Sequence, residues 1–191
     1  MYKHLYDCFT HWFHEGRGGV WFYSDPHFSD DESKTLRSNY PGDQAQVDSI
    51  NKYVGKYDTI VILGDIGDPT WLGKIKGYKV LVLGNHDRGA SIYKPYVDEI
   101  YEGTLTISDK ILLSHEPVAD YFHLNIHGHT HHLPLQIDQW HINCCAELID
   151  YKPICLKDIV NSGLLRWIPN IHQETINIAT YRKENKDVNE S

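Results

Sequence analysis

The stretch Thr59-Ile60-Val61-Ile62-Leu63-Gly64-Asp65-Ile66-Gly67-Asp68 decides how this chain folds. It opens on an unbroken aliphatic run and stops abruptly at Gly64-Asp65. A strand with one wet face alternates apolar and polar residues. A run that is apolar on both faces must be covered on both, as in the parallel sheets of α/β proteins. Two further runs have the same character. Val20–Ser24 (V-W-F-Y-S) ends at Asp25, and Lys79–Leu83 (K-V-L-V-L) ends at Gly84-Asn85-His86-Asp87. Between the first two, Asp43 offers an N-cap, with Val47, Ile50, Tyr53 and Val54 at helical spacing behind it. Trp71–Ile75 fits one or two helical turns, and polar Phe28–Gly42 reads as a long loop. Strands alternating with helices imply βαβ units and an α/β fold.

The second half reads differently. Ile100–Ile107 partly alternates and predicts a half-buried antiparallel strand. Lys110–Leu113 predicts a strand ending at Ser114-His115, and Phe122–Ile126 leads into His127-Gly128-His129-Thr130-His131. Gln139–Leu148 predicts another strand and Leu156–Leu165 a helix. Residues 1–18, aromatic and His-rich, read as a peripheral element packed on the body; His4, His11 and His14 are expected on its surface. Residues 183–191 are polar and expected to be a disordered tail. No repeat or composition break marks a second domain, so residues 1–182 are expected to form one.

Composition narrows the partners. The chain has 191 residues, 41% hydrophobic and 12% aromatic, which suits a globular core. Its aliphatic runs are far shorter than the ~20 residues that span a bilayer. Asp plus Glu is 26 against 18 Lys plus Arg, a formal −8, with no basic stripe for gripping long nucleic acid through its phosphates. Cys8, Cys144, Cys145 and Cys155 form no C-x-x-C knuckle and no disulfide framework; with no secretory signal, they are expected to be reduced thiols of a cytoplasmic protein. Trp12, Trp21, Trp71, Trp140 and Trp167 are expected in the core, and His123, His127, His132, His141 and His172 as ordinary polar residues.

Polar clusters follow the apolar strands: Asp25-x-His27, Gly64-Asp65-x-x-Asp68, Gly84-Asn85-His86-Asp87, Ser114-His115 and Gly128-His129-x-His131. Each alone has an ordinary reading as a turn or a solvated pair. Ligands in α/β sheets, however, bind outside the carboxyl ends of strands, so these clusters can converge. Asp25, His27, Asp65, Asn85, His115, His129 and His131 then offer oxygen and imidazole nitrogen without thiolate. That mixture suits Mn, Fe, Zn, Co or Ni better than Mg or Ca. It is too large for one tetrahedral ion, and fits two ions sharing a carboxylate. Two divalent cations would also offset about four negative charges.

The series D-x-H, G-D-x-x-D, G-N-H-D, H, G-H-x-H, running from Asp25 to His131, resembles the calcineurin-like metallophosphoesterase superfamily. Ser24–Phe28, Gly84–Arg88 and Tyr151–Ile159 look like its small single-domain bacterial and phage members. The resemblance implies two packed mixed β-sheets flanked by helices, with two divalent transition metals, Mn favoured, at one sheet edge. Asp25, His27, Asp65 and His131 would hold the first ion; Asp65 would bridge to the second, completed by Asn85, His115 and His129. His86 would act as general acid, oriented by Asp68. Arg88 would clamp a substrate phosphate or serve as a surface ion pair; Pro69 stands where phosphoprotein phosphatases carry an Arg. The implied reaction is hydrolysis of a small phosphodiester, favoured over a phosphomonoester, by in-line attack of metal-activated water. Arg37 and Tyr40 in the long loop are candidate substrate contacts.

Two other readings compete. One is a non-catalytic scaffold on the same fold, which the presence of every donor and His86 argues against. The other is a metallo-β-lactamase-like hydrolase, whose H-x-H-x-D-H pattern lacks its Asp in His127–His132.

Overall fold

The three apolar runs are parallel neighbours in one sheet. A computed structural model describes residues 5–37, 39–134 and 138–189 of the chain; His4 and the last two residues of the expected tail lie outside them. Strands β1 (Val20–Tyr23), β2 (Thr59–Ile62) and β3 (Tyr78–Val82) pair in parallel, with Val20 opposite Thr59 and Thr59 opposite Tyr78. Strand β4 (Glu99–Tyr101) adds to β3, again in parallel. A second sheet holds β5 (Leu105–Thr106), β6 (Ile111–Leu113), β7 (Leu124–His127) and β8 (His141–Asn143). Strand β9 (Ile154–Cys155) runs antiparallel to β1, so the sheet orders are β4-β3-β2-β1-β9 and β5-β6-β7-β8. The fold is α/β with two packed mixed sheets flanked by helices.

Period-two alternation explains the packing. Val20 and Phe22, Val61 and Leu63, Val80 and Val82 face the second sheet, where Ile111, Leu113, Leu124, Ile126 and Ile142 meet them. Ile60, Ile62 and Leu81 face the other way, onto α2 (Asp43–Tyr53) through Val47 and Ile50, and onto Val54, Leu72 and Ile75. Both faces of β2 are therefore covered, which is why its sequence does not alternate.

Several expectations change. Ile100–Ile107 is not one antiparallel strand: it divides into β4 and β5, which belong to different sheets, with Gly103 at φ +82° in the switch between them. The second sheet is parallel between β6 and β7 and between β7 and β8. Within Phe28–Gly42 a short helix, α1 (Asp31–Thr35), is started by Asp30, whose side chain accepts from Ser33 N–H. It buries none of its own residues, so no apolar stripe announced it. Of Gln139–Leu148 only β8 is strand.

The N-terminal segment is more than peripheral. A 3-10 helix at Asp7–Gly16 brings Trp12 to 0% exposure in the inter-sheet core. Glu99 anchors it, accepting from Trp12 Nε1 at 3.1 Å, Tyr78 Oη at 2.8 Å and Tyr101 Oη at 2.6 Å, with His11 Nε2 at 2.5 Å. Trp167, by contrast, is 71% exposed, outside the core expected for it. Helix α3 (Ala90–Tyr93) follows the third cluster. Helix α4 (Leu156–Ser162) ends at left-handed Gly163, and α5 (Ile171–Asn189) covers the described residues, 183–189, of the segment expected to be disordered. Among the described residues no helix is long and apolar enough to cross a membrane.

Candidate metal centre

Strands β1, β2, β3, β6 and β7 end at the same edge of the two packed sheets, and the polar clusters meet there. The turns that allow this are sharp. Asp25 (φ 55°), His27 (φ 45°), Asp65 (φ 54°) and His129 (φ 66°) all hold left-handed backbone, which non-glycine residues rarely adopt. Glycines let the turns touch. A Cβ on Gly64 would fall 2.6 Å from Gly84 Cα and His115 Nδ1, and one on Gly84 would fall 2.3 Å from Asp65 Oδ1.

Two donor groups result. Asp25, His27 and His131 form one, and Asp65, His115 and His129 the other; within each, the potential ligand atoms lie within 4.8 Å of one another. Asp65 joins them, because its Oδ2 is 3.7 Å from His27 Nε2 and 3.5 Å from His115 Nε2. Asn85 Oδ1 lies 2.7 Å from His115 Nε2 and 3.0 Å from His129 Nδ1, in the second group. All seven donors expected from the sequence are thus brought together. Asp25 Oδ1 and His27 Nε2 are buried and have no hydrogen-bond partner. An orphaned carboxylate oxygen facing an orphaned imidazole nitrogen is costly unless something fills the gap between them, so the residues fit divalent cations.

Outer groups fix the inner ones. Asp25 Oδ2 is held by Ser24 Oγ at 2.5 Å, His129 N–H at 2.9 Å and the Cys145 thiol at 3.3 Å. Burial alone would raise the Asp25 carboxyl, but the adjacent His131 imidazole, the His115 imidazole and the Ser24 hydroxyl outweigh it and hold it well below the usual carboxylate range. Burial and the Arg37 charge lower His27. Burial would also lower His131, yet the Asp25 and Glu147 carboxylates beside its two ring nitrogens lift it to about 9. Asp87 ties two turns together, accepting from Asp65 N–H at 3.0 Å, Ile66 N–H at 3.0 Å and Gly84 N–H at 2.8 Å, with Tyr93 Oη at 2.8 Å. The sequence placed Asp87 inside a motif block but gave it no task.

Two clefts flank the centre. One, of about 640 Å³, is lined by His27, Asp30, Arg37, His86, His131 and Glu147 among others. The other, of about 600 Å³, is lined by His27, Asp68, His86, Arg88 and Tyr93 among others. His86 is exposed where they join, its ring 5.9 Å from that of His27, and its N–H donates to Asp65 Oδ1 at 2.9 Å. The Arg88 side chain is exposed in the second cleft and makes no hydrogen bond or ion pair among the described residues. Asp68 shares that cleft but does not bond His86. Its Oδ1 caps the following 3-10 helix, accepting from Thr70 N–H at 3.0 Å and Thr70 Oγ1 at 2.8 Å. Arg37 and Tyr40 are both engaged within the chain: Arg37 Nη2 donates to the Asp25 carbonyl at 2.9 Å, and the Tyr40 hydroxyl donates to Asp43. His127, expected as an ordinary polar residue, is buried with Nε2 unpartnered.

Neither the family models nor the curated proteins compared with the chain match it. Two solved structures are similar. The crystal structure of AQ665 from Aquifex aeolicus, a protein of unknown function, shares 28% identity with a TM-score of 0.63, over 75% of this chain and 98% of that one. Nuclease MPE from Pseudomonas putida shares 21% identity with a TM-score of 0.44, over 59% and 61% of the two chains. The first shares the fold over three-quarters of this chain; the second superposes too loosely to carry more.

Proposed function

We propose that the chain is a dinuclear metal-dependent phosphoesterase that hydrolyses a small phosphodiester in preference to a monoester. One observation carries this reading: Asp65 Oδ2 lies between two donor groups, one of which contains buried orphaned atoms. Asp25, His27, Asp65 and His131 would hold one divalent cation, and Asp65, Asn85, His115 and His129 the other, with Mn²⁺ favoured. When bound, such a pair makes water more acidic at neutral pH and withdraws charge from phosphoryl oxygens.

The chain's own residues do the rest. His86 meets both clefts, so its imidazole reaches a leaving oxygen on either side and supplies its proton. Its main-chain N–H bonds Asp65, which fixes the backbone from which that imidazole projects beside the shared carboxylate. Arg88 offers a free planar fork to phosphate oxygens. Clefts on both sides of His86 leave room for two organic arms, which favours a diester.

The test combines metal analysis with kinetics. Fully active protein should hold two ions per chain, lose activity with a chelator and regain it with Mn²⁺. His86→Ala should keep both ions yet lose roughly 10²–10⁴-fold in rate on alkyl esters. Its loss should be small on esters of acidic phenols, whose oxyanions leave without a proton. Full activity with one ion or none would end the dinuclear reading. A loss independent of the leaving group would remove His86 as the acid.

A further inference from the structure

A group of charged side chains behind the metal centre is not used by that mechanism. Glu147 Oε1 lies 2.5 Å from His131 Nδ1. Its other oxygen, Oε2, is 3.6 Å from Arg37 Nε and makes no hydrogen bond. Arg37 is itself buried; Nη2 holds the Asp25 carbonyl, and Nη1 has no partner. Arg37 and Glu147 therefore reach both ends of one donor group: the backbone of Asp25 and the far nitrogen of His131.

As a stability device this arrangement is poor. A buried ion pair gains enough to offset desolvation only when its geometry is good and its remaining atoms are satisfied. Here the separation is long and both partners keep an unpaired atom. As an orienting device it is well made. A carboxylate on one imidazole nitrogen fixes the ring and raises the basicity of the other nitrogen. His131 Nε2 is that other nitrogen, 3.3 Å from the Asp25 Oδ1 that lacks a partner.

His131, Cys145 and Glu147 also lie close enough to resemble a third donor cluster. The bonds argue against an ion there. Glu147 already occupies Nδ1 of His131, and Cys145 is a thiol donating to Asp25 Oδ2.

We infer that Glu147, backed by Arg37, is a positioning residue that orients His131 and sets the affinity of the Asp25/His27/His131 half of the centre, leaving the other half alone. This rests on the metal-binding reading above. The test is calorimetric titration of Mn²⁺ into chelator-stripped protein, with His131→Ala and His115→Ala marking which binding event belongs to which half. Glu147→Gln should weaken the event that His131→Ala removes by roughly 10–100-fold, the usual effect of losing an outer partner of a metal-ligating His. The event removed by His115→Ala should keep its affinity, and the melting temperature in chelator should stay close to wild type. Should Glu147→Gln not fold, Arg37→Lys reads the same event, because an ammonium cannot hold both the Asp25 carbonyl and Glu147. Unchanged affinity, equal weakening of both events, or a fall in the metal-free melting temperature with affinity intact would overturn the assignment. Wild-type protein that binds no Mn²⁺ would instead overturn the proposed function beneath it.

Discussion

Gly128→Ala tests whether the site is made by turns packed to contact. The new Cβ would lie 1.9 Å from Ser24 Oγ, 2.2 Å from Asp25 Oδ2 and 2.6 Å from Ser24 Cβ. Ser24 cannot rotate away freely: its Oγ lies 2.5 Å from Asp25 Oδ2 and 2.7 Å from the Leu63 carbonyl, two acceptors that share its one proton, and the residue is fully buried. Moving it leaves a buried polar group unsatisfied, at about 1–3 kcal/mol. Overpacking adds roughly 1–3 kcal/mol. A total near ~4 kcal/mol lowers the melting temperature of a chain this size by roughly 8–16 °C. Removing the hydroxyl as well, with Ser24→Ala, should not restore stability, because Asp25 Oδ2 still blocks the methyl. The displaced Asp25 should also cost one Mn²⁺ binding event. Gly73→Ala is the control, since its Cβ meets only Tyr96 Cδ1 at 3.8 Å; it should stay within about 0.5 kcal/mol of wild type. Thermal denaturation and Mn²⁺ calorimetry read both effects. A Gly128→Ala protein with wild-type melting temperature and both binding events would refute the close-packed account.

Two further outcomes follow from named contacts. Asp65→Asn should weaken both Mn²⁺ binding events, because Asp65 Oδ2 is near a donor of each group, whereas His27→Ala should affect mainly one; a His27 variant that loses more metal would move the bridge elsewhere. Burial would raise the Glu99 carboxyl, but its bonds from Tyr101, His11, Tyr78 and Trp12 outweigh that and lower it. A depressed carboxyl stabilises above its unfolded value, near ~4.3, and that contribution fades as pH falls through the folded value. Glu99→Gln should therefore cost about 1–3 kcal/mol at neutral pH and progressively less under acid. A gap between the two melting curves that persists undiminished at low pH would disprove this.

How legible the molecule is depends on how far apart the causes lie. The β2 run is readable because being covered on both faces writes itself into every residue of Thr59–Ile62. The direction of the second sheet is not, because strands as short as Leu105–Thr106 and Ile111–Leu113 carry no mark of parallel or antiparallel pairing. The same is true of α1, whose start depends on one cap rather than an apolar stripe. In the site, the seven donors could be named because metal-ligating residue types stand directly after strands. Glu147 could not: it touches His131 from sixteen residues away, after a turn whose only sequence cue is the Cys144-Cys145-Ala146 stretch packed inside. Asp68 shows the opposite error. Its position in the motif implied an imidazole partner, while the local advantage of capping Thr70 N–H decided where its carboxylate went.

Backbone strain links these points to function. Asp25, His27, Asp65 and His129 each hold a positive φ, a conformation that persists only where surrounding structure over-determines it. The restraints are visible. Asp25 N–H bonds the Gly64 carbonyl and His27 N–H the Asp65 carbonyl, locking the first two turns to each other. Asp87 then locks the second turn to the third, and Asp25 Oδ2 locks the first to the fifth through His129 N–H. A strand continued straight would carry its donors past those of its neighbours, so the turn must come at once, and the left-handed residue makes it. The donors are therefore held by bonds made within the chain itself. On the proposed reading, binding a cation would require little rearrangement, and its affinity would depend on the outer bonds as well as on the ligands they hold.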